Sequence, residues 1–427
     1  MGLVNFLQNL AKQVRGGFAQ VVKMVNPHKS DERTQAYQNI IEQLLNCASN
    51  EEVGQILNAN PDRVDTELTQ TMLEVAENLK TQGDLDNANF LIKIAELVME
   101  VLHGNTSDTQ LNFLMQVLKT TAVSGDAQKV NPLLSANINK LDDRLGELLR
   151  AVATSRLAEA KPDEAEYIAA NIGDFSNLIQ QFPLGDKACN MEIAITGYEI
   201  ALTVYIRDSF PYEWAQTQSN LANAYFDRIR GDKAENLEQA ITCCQQALKV
   251  YTFDAFPVDW ARTQSNLAAT YINRIRGDKA ENLDRAIAYC QQALKVRTFD
   301  AFPFDWAMTQ KNLAIAYLEK IRGDLAENLE QAITCCQQAL KVYTFDAFPV
   351  DWAGTSNNLG LVYRDRIRGD IAENLDRAIA CYQHALKVKT LYAFPFDWAQ
   401  TKNNLGNAYL NRIICDKQNK IERAIEY

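Results

Sequence analysis

The chain has 427 residues, 47% of them apolar and 23% charged, with a formal net charge of −11. That balance suits a globular protein of more than one domain and excludes a general nucleic-acid binder, which needs a surplus of clustered Lys and Arg. Nine cysteines show no CxxC or zinc-finger spacing, and two adjacent pairs, Cys243-Cys244 and Cys335-Cys336, point apart on one helix; reduced thiols in a cytoplasmic protein are expected, not a disulfide framework. No run reaches the ~18 apolar residues of a membrane span, and three histidines leave imidazole catalysis few candidates.

Residues 1–30 carry four Lys/Arg and no acid. Leu3, Phe6, Leu7, Leu10, Val14, Phe18, Val21 and Val25 mark a basic amphipathic helix, or two split at Gly16-Gly17. Two readings stay open for it: docking on the rest of the protein, or peripheral contact with a membrane or partner surface. The Met-Gly start lacks the myristoylation pattern because Phe6 holds its sixth position.

Residues 31–189 read as a helical domain. Helical periodicity covers 65–80 and 87–102 on either side of the turn TQGDLDN, then 141–160 and 165–182.

From residue 190 onward the sequence repeats, and all five tryptophans, from Trp214 to Trp398, are spaced by 46. Each unit reads WA-x-T-x4-L-[AG]-x2-Y, then IRGD-x-AEN, then L-x2-AI-x3-Q-x-AL-x-V, then FDAFP-x-DW, with variations. Leu267, Ala268 and Tyr271 share one helical face, as do Ala286, Cys290 and Ala293. Gly277 suits the C-cap of the first helix, Asp278 or Asn282 the N-cap of the second, and Pro257 and Pro303 the loops between units. Each unit is therefore a helical hairpin, and stacked hairpins form a solenoid. The units run 190–212, 213–258, 259–304, 305–350, 351–396 and an incomplete 397–427. The first is worn and represented by its second helix; the last stops mid-helix and leaves an uncapped face open to self-association.

L-[AG]-x2-Y followed by A-x3-C-x2-A resembles the tetratricopeptide signature. Tyr225 to Ala240 spans fifteen steps and Ala247 to Leu267 twenty, each six longer than in the usual unit of about 34 residues. The Trp precedes its usual position, which here holds Gln218, Gln264, Gln310, Ser356 and Lys402. The segment from NLIQQFPLGDKACNMEIAITGYEIALTVY into these units is similar to bacterial, mainly cyanobacterial, TPR–CHAT proteins. The resemblance implies an all-α protein with a right-handed solenoid acting as a sensor or scaffold, and a CHAT-type protease as partner. No His/Cys pair in this sequence matches the caspase-like dyad, so no catalysis and no cofactor are expected of it.

The residue before each signature Leu is asparagine: Asn220, Asn266, Asn312, Asn358 and Asn404. The row resembles the asparagine ladder with which kinesin light chains and O-linked N-acetylglucosamine transferases grip a peptide backbone. A primary amide donates and accepts at once, so it pairs with a peptide group whatever the side chain. The alternative is a copied amide that bonds within its own hairpin. Variable neighbours complete the expected groove: Ser219, Ser265, Lys311, Asn357 and Asn403; then Asn223, Ala269, Ile315, Leu361 and Asn407; then Phe226, Ile272, Leu318, Arg364 and Leu410. The apolar ones would face a peptide or pack between units.

Three further features carry structural expectations. The arginines of RIRGD pair within the chain, with Glu235, Glu281, Glu327 and Glu373 close by; the aromatic loop packs unit on unit; Cys244, Cys290 and Cys336 fill the core. His384 receives no role. The expected function is non-catalytic binding of a peptide or partner protein in the concave groove.

Overall fold

The computed structural model describes the backbone of residues 32–47 and 50–426, and every element there is helical. The expectations for residues 1–30, including Phe6, Leu7, Leu10, Val14 and Phe18, lie outside the described residues. Contacts divide the chain into two compact units, up to Met115 and from Gln116.

The first unit contains α1 (Glu32–Leu45), α2 (Asn50–Asn58), α3 (Thr66–Thr81) and the start of α4 (Leu85–Ser124). Tyr37, Ile40, Leu44, Leu68, Met72, Leu79, Leu91 and Ile94 build its core. Asp65 caps α3 through the backbone amides of Glu67 and Leu68, and also accepts from Arg33 at 2.8 Å and Tyr37 at 2.7 Å.

The second unit continues with α5 (Ala127–Ser135), α6 (Asp143–Glu159), α7 (Pro162–Gln181) and α8 (Lys187–Val204). The repeats follow as α9 (Pro211–Asp227), α10 (Lys233–Ala247), α11 (Pro257–Asn273), α12 (Lys279–Ala293), α13 (Pro303–Leu318), α14 (Leu325–Ala339), α15 (Pro349–Asp365), α16 (Ile371–Ala385) and α17 (Pro395–Glu426). Odd-numbered helices from α7 are first helices and even-numbered ones second helices. The helix α7 packs along α8 as α9 packs along α10, so the worn hairpin begins at Pro162. First helices also touch the first helices of the next unit, while each second helix reaches the next unit mainly through its first helix. The first helices therefore line the inner side of the array.

The repeated turn explains the RGD triplets. Each first helix ends at or just before the Arg or Lys of the motif. Gly231, Gly277, Gly323 and Gly369 then adopt φ between +78° and +89°, a region that favours glycine. Gly277 thus lies four residues beyond Asn273 and is no direct cap of α11. Asp232, Asp278, Asp324 and Asp370 cap the second helices, and the buried Asn282 donates to the Arg276 carbonyl at 3.0 Å, as its counterparts do. The arginines do pair within the chain, but largely one unit back. Arg228, Arg274 and Arg366 clasp Glu192, Glu238 and Glu330 with both guanidinium arms, at 2.7–3.0 Å. Arg276 and Arg368 reach Glu235 and Glu327 at 2.8 and 3.1 Å.

In the last unit Cys415 stands where the other units have the hinge glycine, and α17 runs unbroken from Pro395 to Glu426. A side chain at that position disfavours the left-handed conformation, so the expected second helix becomes a continuation of the first.

Junctions are filled by the FDAFP-x-DW loops. Tyr251 joins Ala215, Ala247, Trp214, Phe256 and Trp260 in one cluster, and Tyr343 builds its equivalent with Ala307, Ala339, Trp306, Phe348 and Trp352. His384 is not isolated: it stacks on Trp352 with ring centroids 5.6 Å apart.

The second-helix thiols Cys243, Cys244, Cys290, Cys335 and Cys336 are free and buried. Burial pushes the thiol pKa up to about 12 at Cys243, Cys290 and Cys335. Two results are expected. The five thiols resist a water-soluble disulfide reagent at pH 8 and react only in denaturant. Because their folded pKa lies above the unfolded value of 9.0, their contribution to stability is complete below pH 9 and is lost as pH rises toward about 12. Urea midpoints at pH 8 and pH 10.5 check the second; an unchanged midpoint would contradict it.

Candidate peptide-binding groove

On each first helix one stripe faces the inner side at i, i+4, i+7 and i+11. In α9 it is Gln216, Asn220, Asn223 and Asp227; in α11 Arg262, Asn266, Ala269 and Asn273. In α13 it is Met308, Asn312, Ile315 and Glu319; in α15 Gly354, Asn358, Leu361 and Asp365. Helix α7 extends the rows upstream with Asp174 at the ladder position and Asn177 beside it. All five ladder asparagines are half-buried, as expected of groove residues and not of core.

They are not equivalent. The Asn220 amide donates to Asn177 Oδ1 at 2.8 Å, and the Asn266 amide donates to Asn223 Oδ1 at 2.7 Å. Each bond crosses from one unit to the preceding one and requires an asparagine one turn beyond the earlier ladder position. At the matching positions for Asn312, Asn358 and Asn404 stand Ala269, Ile315 and Leu361, which offer no side-chain acceptor. Among the described residues these three side chains have no hydrogen-bond partner. The row is therefore bonded to itself at one end and free of such cross-unit bonds at the other.

Two other groove candidates are engaged in ion pairs. Lys311 serves the junction: its ammonium pairs with Asp351 of the next unit at 2.8 Å and lies 5.6 Å from the centroid of the Tyr343 ring. Arg364 is half-buried and clasps its neighbour Asp365 at 2.7 and 2.8 Å. Ser219, Ser265 and Asn357, at the position of Lys311, are buried and do not reach the groove surface. In the next rows Ile315, Leu361 and Leu318 are half-buried, whereas Ile272 belongs to the core.

Charge is uneven along the groove. Glu319 pairs with Lys279 at 2.8 Å and Arg262 with Asp259 at 2.7 Å, which neutralises the middle. Toward α7, Asp174 forms no ion pair among the described residues. Both Asp174 and Asp227 are exposed, and partial desolvation by their surroundings raises their carboxyl pKa, with Lys233 acting in the opposite direction at Asp227. Among the described residues no group of three or more His, Cys, Asp or Glu is arranged to hold a metal, and no helix is long and apolar enough to cross a membrane.

The tetratricopeptide-repeat family model matches residues 214–251, 260–299 and 352–389. Each match takes in a hairpin of the array, which supports reading these stretches as a tetratricopeptide-repeat region. No curated protein matches the chain.

Proposed function

We propose that the chain is a non-catalytic scaffold that holds a peptide segment of a partner protein along the inner face of its first helices. The observation that carries this reading is the pair Asn312 and Asn358: half-buried amides, bare of intramolecular hydrogen bonds, set beside Ile315 and Leu361. Such amides are accessible to water, and a peptide main chain would satisfy donor and acceptor together in its place. The apolar neighbours would add contact area and exclude water from those bonds.

A displayed random-peptide library selected on the intact chain tests this. Peptides that bind are expected to lose affinity about tenfold or more with Asn312→Ala plus Asn358→Ala, since each lost pair of main-chain bonds is worth ~1 kcal/mol or more. Asn220→Ala plus Asn266→Ala should change affinity far less, because those amides already bond to Asn177 and Asn223. Equal losses from the two pairs, or none from the first, would remove the assignment.

A further inference from the structure

We propose that the groove accepts a peptide with one bulky apolar side chain seated over Gly354 and a basic group toward the α7 end. This rests on the groove reading above and adds the ligand's chemistry to it. Gly354 lies inside α15, where glycine weakens a helix. Packing does not require it: a Cβ built there would meet nothing within 4 Å. Gly360, six residues on, is the contrast, because a Cβ there would come within 2.7 Å of the Tyr382 ring.

The other units fill the same register with Gln216, Arg262, Met308 and Gln400. Gly354 therefore leaves the α15 backbone uncovered on this face, with open space above it. Asn358 and Leu361 follow on the same face, and Met308, Asn312 and Ile315 hold the matching registers of α13. An aliphatic or aromatic side chain would cover that backbone, while the free amides of Asn312 and Asn358 are positioned for the main chain on either side of it. None of these six residues carries a charge, so a charged anchor would lose hydration without gaining a partner.

Charge complementarity gives the other half. Asp174 has no cation paired with it among the described residues, and Asp227 lies in the next helix of the same face. From α7 to α15 there are four helix steps of roughly 8–10 Å, and an extended peptide rises about 3.3 Å per residue, so about ten to twelve residues separate the basic group from the anchor.

The test uses fluorescein-labelled alanine/serine peptides carrying one Arg and, eleven residues away, one Phe, with reference peptides lacking either, read by fluorescence polarisation. The wild-type chain should bind the doubly equipped peptide about tenfold or more tighter than either reference. Gly354→Met, which copies the residue of α13, should abolish the Phe preference while melting no lower than wild type. Asp174→Asn plus Asp227→Asn should abolish the Arg preference and flatten the salt dependence. Uniform binding of all peptides that is lost in Asn312→Ala plus Asn358→Ala would overturn the anchor and leave the groove standing. Binding that survives that double substitution would overturn the groove itself, and absence of binding by the whole set would overturn the anchor proposal.

Discussion

Tyr343→Ala is expected to cost ~3–5 kcal/mol, read as a lower urea midpoint, the loss typical of emptying a fully buried aromatic site. Tyr343 is 0% exposed and meets Phe304 and Phe348 edge-on at 5.7 and 5.9 Å. In a stacked array each junction couples one hairpin to the next, so a cavity there also weakens the cooperativity between neighbours. The duplicated sequence supplies a control. At the same register the units carry Tyr205, Tyr251, Arg297, Tyr343 and Lys389. Arg297 is 5% exposed, pairs with Asp305 at 3.2 Å, and burial lowers its pKa. Dehydrating that guanidinium offsets much of what its pairing contributes. Asp305 stays partly solvated, so Arg297→Ala should cost clearly less than Tyr343→Ala. Equal losses would mean that the aromatic junctions hold the array no better than the cationic one.

Gly360→Ala should destabilise by about 1–3 kcal/mol despite the better helix propensity of alanine, because the added methyl overpacks a filled core. The position is alanine in the three preceding units, as Ala222, Ala268 and Ala314, where the facing residues are Cys244, Cys290 and Cys336. Here the large residue stands on the second helix, as Tyr382, which is fully buried, just as Tyr198 does opposite Ser176 in the worn unit. The compensation predicts its own rescue. Gly360→Ala with Tyr382→Cys rebuilds the contact of the other units and should recover most of the loss, whereas Tyr382→Cys alone opens a cavity. Additive losses in the double variant would show that the two residues do not share one space.

Much of this was legible in the sequence, because duplication displays the same position several times. The hairpins and the Gly-Asp hinge follow from helical period and turn chemistry, and the inward asparagine row from the resemblance to the tetratricopeptide signature. The split of that row does not follow from the asparagines themselves. It depends on a residue three positions further along the preceding unit, Asn223 for Asn266 but Ala269 for Asn312. Reading the rows against each other at the 46-residue offset would have found it. The unbroken α17 was equally present in the text, as Cys415 in place of a hinge glycine. Nor does the sequence reveal that the long side chain of Lys311 reaches Asp351 across the junction, or that the His384 ring meets Trp352 of the partner helix. Such contacts are set by packing between elements and leave no local pattern.

A ligand peptide is expected along the inner face at α13 and α15, and photocrosslinking locates it most directly. p-Benzoylphenylalanine is placed at position 315 in the groove or at position 331 on the exposed side of α14, with a library-selected peptide at saturation. A peptide adduct is expected from position 315 and none from position 331. Adducts from position 331, or none from 315 with the peptide fully bound, would contradict it.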